Sequence, residues 1–241
     1  MIIIEEPCDR IDYYFRHMKR EIITTEDGST TIHIPEWNEQ YHSKHGAIQE
    51  AYHVFLQMGF FYFLKNNQPN SLTILEIGFG TGLNTFITFI EAKKLKTPVN
   101  YTTIEAYPIL VSEIEKLNYP KQLNTSAKIF NKLHSCKWET SEKIATDFTL
   151  LKQKKKFSEI ENKNEFHLIY FDAFGARVQP ELWTETIFQK MYDALKINGV
   201  LVTYSAKGSV RRAMQSVGFS VERLPGPPGK REMLRATKTK V

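Results

Sequence analysis

The spacing of apolar residues changes along this chain and predicts different elements in different parts of it. In residues 20–34, "REIITTEDGSTTIHI" has two β-branched runs on either side of Asp27-Gly28, a pair that favours a hairpin turn. From residue 36 to about residue 66 the spacing predicts a helix, with an apolar stripe made of Val54, Phe55, Met58 and Phe61 or Tyr62.

After residue 71, strand-like and helix-like patterns alternate. "LTILEIG" precedes "LNTFITFIEAKKL", "YTTIEAY" precedes "PILVSEIEKLN", and "FHLIYFD" precedes "ELWTETIFQKMYDALK". Such alternation predicts a mainly parallel sheet covered by helices on both faces. Residues 119–146 show little periodicity and predict an irregular insertion. We therefore expect a hairpin-and-helix extension over residues 1–66 and one α/β domain over residues 67–241.

Composition narrows the class of protein. Of 241 residues, 41% are hydrophobic, so the chain can bury a full core, but no stretch approaches a membrane helix. The N-terminal "MIIIEEPCDR" lacks the basic segment of a signal peptide, and Cys8 and Cys136 form no CxxC pair. These features predict a cytoplasmic protein without structural zinc. The net charge of +5 is compatible with a polyanionic partner.

A glycine-rich loop follows the first predicted strand of the α/β domain. In "ILEIGFGTGL" (residues 74–83) the glycines are Gly78, Gly80 and Gly82, whereas a dinucleotide fingerprint would need its third glycine at Leu83. The loop also lacks the lysine of a phosphate-binding loop. Glu76, just before the glycines, would repel a pyrophosphate but suits an ammonium or a hydroxyl group. This combination predicts binding of S-adenosylmethionine.

The next strand supports this prediction independently. "YTTIE" ends at Glu105, and a carboxylate at the tip of the second strand can accept hydrogen bonds from both hydroxyls of a ribose. The two signals together predict a class I S-adenosylmethionine-dependent methyltransferase fold, which is Rossmann-like with a mainly parallel seven-stranded sheet.

The reacting group is expected near the end of a later strand. "FHLIYFDAFGARVQPELW" leads to Asp172, followed by Phe174, at the edge of the sheet where ligands gather. A carboxylate beside an aromatic ring suits an amine nucleophile, since positive charge moves onto nitrogen during methyl transfer. His42 and His45 have no further ligands at metal-binding spacing, so no metal site is predicted.

Several stretches resemble the tRNA 5-methylaminomethyl-2-thiouridine methyltransferases, of the standalone MnmD type and of the N-terminal half of bifunctional MnmC. The motifs that carry the resemblance are "YHSKHGAIQEAYHVFL", "EIGFGTGLN", "FDAFGARVQPELWT", "GVLVTYSAKGSVRRAMQSVGF" and "FSVERLPGPPGKREMLRA". The glycine loop is common to many methyltransferases, whereas Asp-Ala-Phe, Ser-Ala-Lys-Gly-x-Val-Arg-Arg and Gly-Lys-Arg-Glu-Met are far more specific.

The resemblance implies methylation of the amine of 5-aminomethyl-(2-thio)uridine at the tRNA wobble position. It implies a cofactor site that comprises Gly46, Glu50, Glu76, Gly78, Gly80, Gly82, Asn84, Glu105 and Asp172. Asp172 and Phe174 would face the aminomethyl group as catalytic residues. The candidates for contacts with the tRNA backbone are Lys207, Arg211, Arg212, Lys230 and Arg231.

Two departures from the family pattern matter. The sequence contains no counterpart of the FAD-dependent oxidase half of MnmC, so separate upstream enzymes are expected to supply the aminomethyl group. The family pattern also has an acidic residue after the third strand, near the adenine. Lysines stand there in "FTLLKQKKKFSEI", and either Glu159 or Glu161 could substitute.

Two other functions stay open from the sequence. A methyl- or aminopropyl-transferase acting on a small amine would use the same acidic pocket but would need no basic flanks. A non-catalytic RNA-binding protein with this fold would not need the intact Gly78, Glu105 and Asp172.

Overall fold

The computed structural model describes residues 18–240, so the N-terminal segment with Cys8 lies outside the described residues. The strands are β1 (Glu21–Thr24), β2 (Thr30–Ile34), β3 (Glu39–Gln40), β4 (Leu72–Ile77), β5 (Val99–Ile104), β6 (Ser141–Ala145), β7 (Phe148–Gln153), β8 (Phe166–Phe171), β9 (Leu195–Thr203), β10 (Phe219–Pro225) and β11 (Glu232–Lys238). Helix α1 has three consecutive segments, Ala47–Ala51, the π-helical Tyr52–Phe61, and Tyr62–Asn67. The other helices are α2 (Leu83–Leu95), α3 (Val111–Ile114), α4 (Tyr119–Gln122), α5 (Ala127–Ser135), α6 (Glu185–Ala194) and α7 (Gly208–Ser216), and short 3-10 turns cover Pro35–Trp37, Phe157–Glu159 and Pro180–Trp183.

The main sheet has the strand order β10-β11-β9-β8-β4-β5-β7-β6. Its central pairs, β9-β8, β8-β4, β4-β5 and β5-β7, are parallel, while β10 and β11 pair antiparallel at one edge. The chain runs outward from β4 through β5 to β7 and then returns to the other side of β4 as β8. The order therefore reverses between β4 and β8, and the predicted α/β class with its mainly parallel sheet is confirmed.

The sheet has eight strands, one more than the predicted seven, because β6 pairs antiparallel with β7 at the other edge. The expectation of an irregular insertion over residues 119–146 is wrong, since this segment forms α4, α5 and β6. Helix α5 begins at an N-cap, Ser126, and buries Phe130 and Leu133. Elements of four to nine residues bury so few apolar positions that their periodicity is hard to detect.

The predicted N-terminal hairpin is present. β1 and β2 pair antiparallel, and Asp27 in the turn accepts a hydrogen bond from the backbone of Ser29 at 3.0 Å. The helix predicted from residue 36 begins instead at Ala47, because residues 35–40 form a 3-10 turn and the third strand of the small sheet.

The apolar stripe predicted on α1 differs from the buried one. Phe55 and Phe60 are fully buried and lie five residues apart, as the i→i+5 bonding of a π-helix places them on one face, while Met58 is only partly buried. The α-helical period of about 3.6 residues therefore predicts the wrong buried residues in part of this segment. Within the described range, no helix is long and apolar enough to cross a membrane.

Helix α1 packs on the sheet through Gly59. Ile32 of β2, Phe55 of α1 and Leu168 of β8 belong to one buried cluster, so the extension and the sheet share a core. A Cβ atom at Gly59 would lie 3.0 Å from the side chain of Val202 in β9. The boundary at residue 66 stays a prediction.

We predict that Gly59→Val lowers the free energy of unfolding by about 1–3 kcal/mol, because the added methyl groups overpack the contact with Val202. Gln57→Val is the matched control on the exposed face of the same helix and should change stability by less than about 0.5 kcal/mol. Urea unfolding followed by circular dichroism measures both. Equal stabilities of the two variants would contradict the close packing at Gly59.

Candidate active site

One cavity of about 720 Å³ opens at the carboxyl ends of the central strands, where the strand order reverses. Its size falls within the range of small-molecule sites. Of the residues predicted from the sequence, the cavity is lined by Glu50, Gly78, Gly80, Asn84, Glu105, Asp172, Phe174, Lys207 and Lys230. Gly46, Glu76, Gly82, Arg211, Arg212 and Arg231 are not part of the lining.

Gly78 lets the ends of β4 and β8 lie side by side. It has a φ of 94°, and a Cβ atom there would lie 2.7 Å from the carbonyl oxygen of Asp172. The backbone N–H of Asp172 donates to the carbonyl of Ile77 at 3.0 Å. The glycine is therefore required by a protein contact that brings Asp172 next to the loop.

Glu105, at the end of β5, is held by the backbone on both carboxylate oxygens. The N–H groups of Gly80 and Tyr107 donate to it at 3.1 and 2.8 Å. Burial raises the pKa of Glu105, and these two hydrogen bonds oppose that shift. Each oxygen keeps a second lone pair that can accept from a ligand. This geometry fits the vicinal hydroxyls of a ribose.

Asp172 lies at the cavity wall with one hydrogen-bond donor. The Asn84 amide, at the start of α2, donates to its carboxylate at 2.8 Å. Burial and, to a smaller extent, the nearby Glu50 carboxylate raise the pKa of Asp172 to about 7, while the Asn84 hydrogen bond and the Lys230 ammonium oppose the shift. The Tyr204 hydroxyl donates to the carbonyl of Ala173 at 2.8 Å and so fixes the segment after Asp172.

Phe174 is held by aromatic residues of the N-terminal extension. Its ring lies edge-to-face with Tyr41 and Trp37, at centroid distances of 4.9 and 5.6 Å. Arg177 donates to the carbonyl of Trp37 at 2.7 Å and pairs with Glu39 at 2.8 Å. Nothing in the local pattern of residues 37–41 indicates these contacts, because they reach a loop more than 130 residues away along the chain.

Glu76 lies outside the cavity lining and is fully buried. The Thr85 hydroxyl donates to one of its carboxylate oxygens at 2.8 Å. Burial raises the pKa of Glu76 to about 8. Gly82 lies against the His134 ring, which a Cβ atom would approach to 2.9 Å. The cofactor contacts implied for both residues stay predictions, and in this structure both contact other protein groups.

Glu50 and Lys230 meet inside the cavity. They form a salt bridge, and the backbone N–H of Ser43 donates to the other oxygen of Glu50 at 2.7 Å. Gly46 is the N-cap residue of α1, and a Cβ atom there would lie 2.7 Å from the Asp27 carboxylate. Gly46 thus shapes the helix start, whereas Glu50 reaches the cavity.

The remaining basic candidates lie at or beyond the rim. Lys207 is exposed, lines the cavity and caps the start of α7. Arg212 and Arg231 are exposed, and Arg211 is partly buried. Their contact with nucleic acid stays a prediction.

The lysine-rich segment at the end of β7 has one buried lysine, within the strand, and residues beyond the strand that line the cavity. Lys152 is buried, donates to the carbonyl of His134 at 2.6 Å and lies over the Trp138 ring, so it does not face the cavity. The cavity lining includes Lys156, Phe157, Ser158 and Leu182. The Phe157 ring and the Ser158 hydroxyl are groups that fit a flat purine.

We predict that Glu105→Gln weakens binding of S-adenosylmethionine about 10–100-fold, because it removes charge-assisted hydrogen bonds of about 1.5–3 kcal/mol. It also turns an amide N–H toward a backbone donor. Titration calorimetry measures the affinity, and Glu115→Gln, an exposed acid, is the control. An unchanged affinity in Glu105→Gln would remove Glu105 from the cofactor site.

Relatives and solved structures resemble the chain over most of its length. The bifunctional protein MnmC of Actinobacillus pleuropneumoniae serotype 5b, a "tRNA 5-methylaminomethyl-2-thiouridine biosynthesis" protein, is 28% identical over 83% of this chain and 32% of its own length. The corresponding protein of Cupriavidus metallidurans is 26% identical over 88% of this chain and 33% of its own length. The chain thus spans about a third of the length of these curated relatives. The crystal structure of MnmC2 from Aquifex aeolicus has a TM-score of 0.73 and 24% identity, covering 100% of this chain and 80% of that one, which shows a shared fold.

The family model identifies the class of enzyme. Residues 118–239 match a model described as S-adenosyl-L-methionine-dependent methyltransferase. The paired acceptors of Glu105, the Phe157 ring and the size of the cavity fit that cofactor. The resemblance to the methyltransferase half of MnmC predicted from the sequence is confirmed. The chain belongs to this family of S-adenosyl-L-methionine-dependent methyltransferases, and S-adenosyl-L-methionine is its cofactor.

Proposed function

We propose that this methyltransferase methylates the amine of 5-aminomethyl-(2-thio)uridine at the wobble position of tRNA. The observation that carries the proposal is the placement of Asp172 and Phe174 together in the cavity that Glu105 also lines. A carboxylate and an aromatic face in one pocket bind a cationic amine. The names of the curated relatives favour this amine over others.

S-adenosylmethionine, when bound, supplies a methyl group made electrophilic by the sulfonium. Glu105 would hold the ribose hydroxyls. The Phe157 ring would contact the adenine, and it would take the place of the acidic residue that the family pattern has after the third strand. Asn84 and Tyr204 keep Asp172 and its segment in place. The site is thereby preorganised on the ends of strands.

Asp172 has the properties of the proton-handling group. The arriving substrate amine is an ammonium, and its nitrogen must lose a proton before its lone pair can attack. An aspartate with a pKa of about 7 accepts that proton far more readily than an ordinary one and passes it to water. The ionised carboxylate then stabilises the positive charge that appears on the methylated nitrogen.

Phe174 would contact the flat base that carries the amine. Its ring is fixed edge-to-face by Tyr41 and Trp37, so it offers a rigid face at the cavity. The wobble base must leave its stack to enter such a pocket, as for other base-modifying enzymes. The extension thus supports the substrate side of the site.

The tRNA backbone would contact the basic groups around the opening. Lys207 is at the rim, while Arg211, Arg212 and Arg231 belong to α7 and to the loop before β11. Phosphate neutralisation by such groups supplies most sequence-independent affinity. Separate upstream enzymes would supply the aminomethyl group.

The substrate is tested with tRNA from cells blocked in this final methylation. We expect purified protein and S-adenosylmethionine to convert 5-aminomethyl-2-thiouridine to its N-methylated form, measured by mass spectrometry of nucleosides. A parallel incubation with 1,4-diaminobutane tests the small-amine alternative. Methylation of the diamine with no change in the tRNA would contradict the proposal, and cofactor binding without either reaction would favour a non-catalytic protein.

We predict that Asp172→Asn lowers kcat by about 10²–10⁴-fold while the affinity for S-adenosylmethionine changes little, because the carboxylate acts on the substrate amine. Protonation of Asp172 as the pH falls through about 7 removes its charge, so wild-type kcat should fall there, and this limb should be absent in Asp172→Asn. Steady-state rates between pH 5.5 and pH 9 measure both effects. Asp147→Asn, an exposed residue, is the control. Equal losses in kcat and in cofactor affinity would contradict this role.

A further inference from the structure

Lys230, a candidate from the sequence for contact with the tRNA backbone, lines the cavity. It stands in the loop between β10 and β11, and its ammonium forms a salt bridge with Glu50. The ammonium also lies over the ring of Tyr204, 3.8 Å from the centroid. The Lys230 side chain is 32% exposed and that of Glu50 only 8%, so the pair is directed inward. A lysine held on two sides in this way is poorly placed to contact a phosphate outside.

Glu50 and Asp172, the two carboxylates on this side of the cavity, differ in their hydrogen-bond and ion-pair partners. Glu50 is paired with Lys230 on one oxygen and accepts from Ser43 on the other. Asp172 receives the neutral Asn84 amide, and within residues 18–240 no cationic nitrogen lies within 4.0 Å of it. Glu50 and Asp172 together carry two negative charges and Lys230 carries one positive charge. The group can therefore bind one further cation, next to Asp172.

We propose that Lys230 is a specificity residue: by neutralising Glu50 it lets the site bind a substrate with one ammonium group and makes it reject diamines. The inference rests on the proposed methylation of an amine and adds which amines are excluded. A short diamine whose first ammonium contacts Asp172 needs a second carboxylate for its other end. Glu50 lines the same cavity as Asp172 and its charge acts on Asp172, but Lys230 already occupies it. The second ammonium would meet a like charge instead.

Tyr204 explains why Lys230 stays in place. Its ring contacts the ammonium, while its hydroxyl donates to the carbonyl of Ala173, next to Asp172. The cation–π contact is worth more in a desolvated site than on the surface. Lys230 and Asp172 are thus positioned by the same aromatic residue.

The test compares binding of 1,4-diaminobutane and butylamine to the 241-residue chain loaded with S-adenosylhomocysteine, by ligand-detected NMR. Lys230→Gln keeps a hydrogen-bond donor for Glu50 but removes the charge, and we expect it to raise the ratio of diamine to monoamine affinity about tenfold or more. Lys230→Arg should keep the wild-type ratio, since it restores the cation. Lys230→Met is a second uncharged variant, and Lys65→Gln, an exposed lysine on α1, is the control.

An unchanged ratio in both uncharged variants would overturn the inference, and so would a gain in Lys230→Arg equal to that in Lys230→Gln. The binding assay uses no tRNA. A failure of the inference about Lys230 can therefore be told apart from a failure of the proposed methylation of tRNA. Diamine gain in Lys230→Gln without methylation of tRNA by the wild type would support the charge role and contradict the proposed substrate. Methylation of tRNA by the wild type without any diamine gain in Lys230→Gln would support the proposed substrate and contradict the charge role of Lys230.

Discussion

The contact between the ends of β4 and β8 is the constraint on which the site depends. At this point Gly78 lies so close to the Asp172 carbonyl that a side chain on it would collide. The strand order of the sheet reverses between these two strands, so their loops diverge and leave a crevice. The glycine loop and Asp172, the acid proposed to face the substrate, are therefore two sides of one junction.

Burial at this junction determines the chemistry. Asp172 titrates near neutrality because the cavity wall removes water from its carboxylate and because Glu50 contributes a like charge. Lys230 limits the second effect by pairing with Glu50. The pKa of Asp172 thus depends on Glu50 of helix α1, Asn84 of α2 and Lys230 of the loop before β11, and no single segment contains all of these groups.

The N-terminal extension has a role in the site as well as in the core. Its helix α1 carries Glu50 and packs on β9 through Gly59, while its Trp37 and Tyr41 hold Phe174. Substitutions in the extension would therefore alter the proposed substrate side of the cavity without changing the side proposed to bind the cofactor. This arrangement joins the proposed substrate side of the cavity to a segment that the sequence separates from the α/β domain.

The sequence by itself determined the α/β class, the parallel order of strands after residue 71, the hairpin at Asp27-Gly28, and the placement of Glu105 and Asp172 at strand ends. These follow from local rules, since periodicity and turn residues act over a few positions. The tertiary structure decided what depends on distant partners. It buried Glu76 away from the cavity, turned Lys152 toward Trp138 and directed Lys230 to Glu50, which is 180 residues away. The direction and the charge state of a side chain depend on neighbours that come together only when the chain folds. The local sequence pattern does not indicate these neighbours.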